Sequence, residues 1–239
     1  MAVKYKAAGD ISLLIEFENE ISEKVNAKVR NLYLAIEKNC LVGVEEVIPT
    51  YRSLLINYNP LEVKGTTLIE KLKDIESRLE EMDIPKQKVV EIPTLYGGEF
   101  GPDLQFVADY NKMSAENVIK IHSQGKYLIY MLGFTPGFPY LGGMSERIAT
   151  PRLNNPRIRI TAGSVGIAGT QTGIYPIESP GGWRLIGRTP IKLFNPDRHP
   201  YFLLQSGDYL QFTAINETEY NLINEQVDKN QFQVNTTLL

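Results

Sequence analysis

The 239-residue chain has one cysteine, Cys40, one tryptophan, Trp183, and two histidines, His122 and His199. A lone cysteine excludes an internal disulfide, which fits a reducing compartment, and Cys40 itself reads as a small buried hydrophobe. Without spaced cysteines or a histidine pair on one helix, no structural zinc site can be assembled, and no metal site is expected. No apolar run approaches the roughly 20 residues of a membrane-spanning helix. The opening MAVKYKAAGD also lacks the apolar core of a signal peptide. A cytoplasmic protein without a membrane partner is expected. The formal net charge is only -3, which gives no general attraction to nucleic acid. Fixed-period repeats and low-complexity segments are missing too. What remains is 43% hydrophobic and 22% charged, an ordinary globular composition long enough for two modest domains.

Periodicity separates two halves. ISLLIEF (11–17) reads as a strand; a helix follows with Asn19 as its cap and Ile21, Val25, Val29, Leu32 and Ile36 on one face. VGVEEVI (42–48) and YRSLLINY (51–58) read as a hairpin. A second helix is expected from a capping box of Thr67 and Glu70, with Leu68, Leu72, Ile75, Leu79 and Met82 as its stripe and Pro85 as its stop. KVVEIP (88–93) would be the last strand. This order, strand, helix, strand, strand, helix, strand, is the split ferredoxin-like arrangement, assigned to residues 1–90. From Tyr96 glycine and proline thicken and helical periodicity fades. One helix is expected there, capped by Ser114, carrying Val118, Ile121 and His122, and closed by Gly125. YLIYMLGF, RIRITAG, VGIAGTQTGIYPI, WRLIGRTP, PYFLLQ and DYLQFTAI then read as the short strands of a barrel. The class is α+β.

Familiar catalytic signatures fail on physical grounds. GWRLIGRT (182–189) has phosphate-loop spacing, but Arg188 replaces the lysine and Pro190 follows where a helix should open. AGSVG (162–166) resembles a nucleophile elbow, with Asp197 and His199 downstream, yet β-branched residues and glycines follow Ser164 instead of a helix.

Other residues resist a purely structural reading. GFTPGFPYLGG (133–143) holds four glycines and two prolines beside three aromatic rings and a leucine. PRLNNPR (151–157), Arg159 and the run from Arg184 to Arg188 place guanidinium groups near glycine-rich backbone, a pattern suited to gripping carboxylate or phosphate oxygens, although solvated surface arginines read equally well. His122 falls near a helix C-terminus, where the dipole favours its protonated form; it reads as an acid, a base or a cap. SPGGW (179–183) sets Trp183 behind two glycines, as core or as ligand wall.

These stretches carry a resemblance. GFTPGFPYLGG, TPRLNNPRIRITAGSVGIAG, QTGIYPIESPGGWRLIGRTP and SGDYLQF, with GDISLLIEF, EVIPTYRSLLINY and YGGEFGPDL before them, resemble the family of the 5-oxoprolinase B subunit (PxpB), also called allophanate hydrolase subunit 1 or KipI. The likeness runs over nearly the whole chain. It departs at NYNP (57–60), where relatives usually show aspartate before the proline.

The resemblance implies a ferredoxin-like domain over residues 1–90 and a cyclophilin-like β-barrel domain over 91–239. It also implies two partners, the 5-oxoprolinase C subunit, with a similar barrel, and the A subunit, which with this chain convert 5-oxoproline to glutamate using ATP and Mg. The lactam is a poor electrophile, and phosphorylating its oxygen opens its carbon to water. Because the chain shows no sound phosphate loop, ATP is expected on a partner or at a shared interface, and the isolated chain is expected to be inactive. On this reading Phe134, Phe138, Tyr140 and Trp183 wall a substrate site. Arg152, Arg157 and Arg188 bind an anionic group, Ser164, Gln171, Tyr175 and the amides of Gly181 and Gly182 donate hydrogen bonds, and His122 transfers protons. Two alternatives stand beside it: a KipI-type inhibitor binding a sensor histidine kinase, and a urea or allophanate hydrolase subunit.

Overall fold

The computed structural model describes residues 3–81 and 85–239, and the chain divides into two compact units, Met1–Lys86 and Gln87–Leu239. Met82, expected in a helical stripe, lies outside the described residues.

The first unit contains β1 (Lys4–Ala7), β2 (Ser12–Glu16), α1 (Glu23–Asn39), β3 (Val44–Pro49), β4 (Ser53–Tyr58) and α2 (Gly65–Ser77). Its sheet is antiparallel throughout, in the order β1-β2-β4-β3. Leu13 and Ile15 of β2 lie opposite Ile56 and Leu54 of β4, so the period of two puts all four on one face. Val25, Val29, Leu32 and Ile36 of α1 and Leu68, Leu72 and Ile75 of α2 pack in the same core, each large side chain contributing about 1.5–3 kcal/mol by burial.

The helix ends differ from expectation. α1 is capped by Ser22, whose hydroxyl accepts from the Val25 amide at 3.2 Å, so Asn19 and Ile21 stand before the helix. Cys40 is exposed, not buried: it closes α1 with a left-handed backbone (φ 44°), which turns it out of the core face. Thr67 and Glu70 lie inside α2, which begins at Gly65, where an added Cβ would meet the Tyr58 hydroxyl at 2.8 Å. Pro85 does not stop α2; the helix ends at Ser77, whose hydroxyl donates to the Asp74 carbonyl at 2.8 Å.

The larger correction concerns KVVEIP. It opens β5 (Lys88–Tyr96), which runs through residue 90 and pairs in parallel with β13 (Tyr209–Ile215) over seven residues in the second unit. β5 is buried on both faces, as a central strand must be, whereas the open place in the first sheet is an edge. The N-terminal KYKA of β1 fills that edge with largely exposed, polar residues.

The second unit adds α3 (Leu104–Tyr110), α4 (Ala115–Gln124), β6 (Lys126–Leu132), β7 (Pro139–Gly142), β8 (Arg157–Ile160), β9 (Ser164–Ala168), β10 (Gln171–Ile174), β11 (Ser179–Gly181), β12 (Arg184–Arg188), α5 (Glu217–Asp228) and β14 (Thr236–Leu238). α4 is the expected helix, capped by Ser114 and ended by Gly125. α3 and α5 are additional to the expected elements, and PYFLLQ is a loop holding one isolated bridge, Phe194 to Phe202. The main sheet follows the path β10-β9-β12-β5-β13-β6-β7, with β14 on β5. Its end strands, β10 and β7, lie side by side without a hydrogen-bonded ladder among the described residues, so the sheet is a nearly closed barrel with one seam. β8 and β11 form a separate ribbon. Val90, Ile92, Ile129, Val165, Ile167, Ile174, Ile186, Leu210 and Phe212 fill the interior. No helix among the described residues is long and apolar enough to cross a membrane.

Candidate functional site

Alternation along β9 and β10 builds the site. Val165, Ile167 and Ile174 point into the barrel, while Ala168 and Tyr175 belong to a second apolar cluster with Phe138, Ile160, Trp183 and Leu185. Over this cluster lies a groove of about 220 Å³, lined by Phe134, Phe138, Tyr140, Arg152, Gln171, Tyr175, Pro180, Gly181, Gly182 and Trp183. Every lining residue except Pro180 is one that the sequence marks. The groove sits at the seam, since Tyr140 belongs to β7 and Gln171 to β10.

The aromatic content of GFTPGFPYLGG now has a physical cause. The segment is the turn between β6 and β7, fastened where Gly133 N–H donates to the Phe138 carbonyl at 3.0 Å. Phe138 is the hub: Phe134, Tyr140, Tyr175 and Trp183 all meet its ring edge to face at centroid distances of 5.4–5.8 Å. Such geometry suits the ring quadrupoles and adds about 0.5–1.5 kcal/mol per pair beyond burial. Phe134 is 71% exposed and carries a left-handed backbone, φ 68°, a strained state for a bulky residue. The glycines opposite permit close approach. A Cβ on Gly181 would stand 2.3 Å from the Tyr175 hydroxyl, and one on Gly173 would stand 3.0 Å from the Trp183 ring.

Arg152 is the cation of the groove. It is exposed, lies over the Trp183 ring at 6.0 Å, and enters no ion pair among the described residues, leaving its fork available to an anion. Burial raises the Tyr175 hydroxyl above its ordinary range, only partly offset by a hydrogen bond from the Trp183 backbone and by the fields of Arg152 and Arg157, so it presents a neutral phenol.

Four sequence-marked residues lie outside the groove. Arg157 is committed to Asp103, 2.9 Å away, and to the Trp183 carbonyl at 3.3 Å. Arg188 lies over the Phe100 ring at 5.2 Å. Ser164 is wholly buried, with no partner for its hydroxyl among the described residues. His122 is 0% exposed, and burial depresses its pKa from 6.5 to about 3. The protonated imidazolium expected from the helix dipole is therefore overturned: the cost of burying the charge exceeds the half-charge of the helix end. A larger groove of about 650 Å³ elsewhere in this unit holds none of the candidates. Two of its cations are engaged, Lys192 with Asp228 and Arg198 with backbone carbonyls.

Residues 3–204 match the family model "carboxyltransferase domain, subdomain C and D". The chain is 48% identical over 238 residues to the 5-oxoprolinase B subunit of Bacillus subtilis (strain 168), covering 95% of this chain and 99% of that one. It belongs to the 5-oxoprolinase B subunit family. A second member, from Escherichia coli O157:H7, is 38% identical over 87% of this chain and 94% of its own length. Among solved structures, TTHA0988 superposes with a TM-score of 0.77 at 36% identity, covering 86% of this chain and 40% of that longer one.

Sequence reasoning missed two residues of the site. Pro180 completes the groove wall, and Asp103, 8% exposed, accepts from Arg157 and from the Leu185 amide at 2.7 Å, fixing the strand beside Trp183. A buried carboxylate requires such partners, but in sequence Asp103 is one acid among many.

Proposed function

We propose that this chain is the B subunit of an ATP-dependent 5-oxoprolinase, which with the A and C subunits hydrolyses 5-oxo-L-proline to L-glutamate, and that the groove over the seam receives the lactam. One observation carries the reading: the groove gathers a single free guanidinium, an amide side chain and an aromatic wall at one small site. A compact ring bearing one carboxylate matches that inventory. Arg152 takes the carboxylate as a bidentate pair, Phe134, Tyr140 and Trp183 cover the ring faces, and Gln171 bonds the polar edge of the lactam. Within the two-unit plan, the first unit is read as a ferredoxin-like layout whose edge strand is β1, and the second as a cyclophilin-like barrel.

ATP, with Mg, supplies the phosphoryl group that makes the lactam oxygen a leaving group. At about 220 Å³ the groove lies below the 300–1,000 Å³ typical of drug-sized ligands, which suits the small lactam better than ATP. The nucleotide is assigned to a partner protein or to an interface shared with one. The isolated chain then has a substrate site without the activating reagent, and is inactive alone.

The test is glutamate release from 5-oxoproline and ATP by the chain alone, by its A and C partners without it, and by all three. Release from the full set alone is expected. Equal release by the partners without this chain sinks the proposal and moves binding to a sensor histidine kinase to the front.

A further inference from the structure

We propose that His122 is a positioning residue that holds β10, and with it the groove wall, in place from inside the barrel; this rests on the groove being the substrate site. β10 needs such a support. It is four residues long, ends the strand path, and pairs by backbone with β9 alone, while its other side faces the open seam to β7. Short edge strands fray when nothing else fixes them. Yet Gln171 at its start and Tyr175 just after its end line the groove, and Gly173 between them lies against the Trp183 ring.

The support comes from the strand's other face. Thr172, 1% exposed, donates its hydroxyl hydrogen to the Gly166 carbonyl of β9 at 3.1 Å. A hydroxyl has one hydrogen, so at the 2.7 Å contact between Thr172 Oγ1 and His122 Nε2 the imidazole is the donor. Nδ1 is then an acceptor, and the Tyr96 hydroxyl donates to it at 2.7 Å. The chain runs Tyr96 to His122 to Thr172 to Gly166, from the end of β5 across to the seam strands. The ring is held by Phe212, with centroids 4.3 Å apart, and the Tyr127 hydroxyl donates to the His122 carbonyl at 2.7 Å. Tyrosine, threonine and phenylalanine side chains surround the imidazole, and a neutral ring satisfies every hydrogen bond named. No proton need leave it, and at 0% exposure it is not among the groove's lining residues.

The decisive set is Thr172→Val, His122→Phe and His122→Gln, each compared with the native chain in two measurements. In the mixture with the A and C partners, Thr172→Val and His122→Phe are expected to raise KM for 5-oxoproline about three- to tenfold, the effect of one lost buried hydrogen bond, with kcat within about twofold. His122→Gln, whose amide N–H reaches for the same Thr172 oxygen, should recover most of the loss, and the limbs of the pH profile should not move. A loss of kcat of about 100-fold or more in both histidine variants, with a pH limb gone and Thr172→Val neutral, overturns the proposal in favour of proton transfer. The second measurement needs no partner. Trp183 is the only tryptophan, so acrylamide quenching of its emission in the isolated chain reports the groove wall. Quenching should rise in Thr172→Val and His122→Phe; a lowered melting point with KM and quenching unchanged overturns the proposal, leaving His122 a core residue. If even the native mixture makes no glutamate, the enzyme reading fails by itself, and quenching alone decides the positioning role.

Discussion

His122 shows how much a residue's meaning depends on its depth. Near the end of a helix it reads as a cation or a proton carrier; at 0% exposure its charged form is the one the protein rejects. In the unfolded chain it binds a proton near pH 6.5, while in the folded chain it binds one only near pH 3. Between those values the unfolded state holds the extra proton, so the histidine's contribution is fully present above pH 6.5 and lost as pH falls toward 3. Each pH unit in that window costs at most about 1.4 kcal/mol. Urea midpoints followed by Trp183 emission at pH 7.5 and 4.5 check this, because the tryptophan sits in the same unit. The native chain should lose more stability on acidification than His122→Gln, whose amide does not titrate. Equal losses would mean that the imidazole is not held neutral in the core.

At the scale of elements, the turn between β6 and β7 concentrates the sequence's most legible signal. Glycine and proline forecast the turn, and the rings crowded into it forecast a surface with a purpose. Phe138 explains why the rings cannot be exchanged for aliphatic residues, since it meets four others edge to face. Phe134 is the exposed member of that hub, and its one ring pair, with Phe138, is worth about 0.5–1.5 kcal/mol, comparable to the backbone strain it carries. A left-handed φ of 68° costs a bulky residue on the order of 1–2 kcal/mol, and glycine would relieve it while adding about 0.5–1 kcal/mol of backbone entropy loss. Phe134→Gly should therefore leave the urea midpoint nearly unchanged, yet weaken 5-oxoproline binding severalfold as read by Trp183 emission. A large fall in stability with binding intact would assign Phe134 to the fold instead. Other elements are less legible, for identifiable reasons. KVVEIP has the composition of a strand, but which sheet it joins is set by β13, more than a hundred residues later. KYKA is polar because an edge strand must be, and so it carries no apolar signal. Arg157 and Arg188 cluster in sequence with Arg152, yet they end beside Asp103 and Phe100, which only the folded chain brings to them.

For the whole molecule, the absence of a phosphate loop in the sequence and the size of the groove converge on a division of labour. A groove of about 220 Å³ with one unpaired guanidinium fits a small carboxylate, and the described residues hold no group of three or more histidine, cysteine or acidic side chains able to carry a metal ion. On the proposed function, ATP and Mg reach this site from a partner or a shared interface. The isolated chain should consequently show a saturable change in Trp183 emission with 5-oxoproline and none with ATP and Mg. ATP should also fail to displace 5-oxoproline, because the two would not share the groove. Arg152→Ala should abolish most of the 5-oxoproline response, since a charged hydrogen-bonded pair is worth about 1.5–3 kcal/mol, or roughly ten- to a hundredfold in affinity. Competition by ATP in the native chain would place the nucleotide in this barrel and make Arg152 a phosphate ligand. A 5-oxoproline response that Arg152→Ala leaves intact would remove the arginine from the site while sparing the groove.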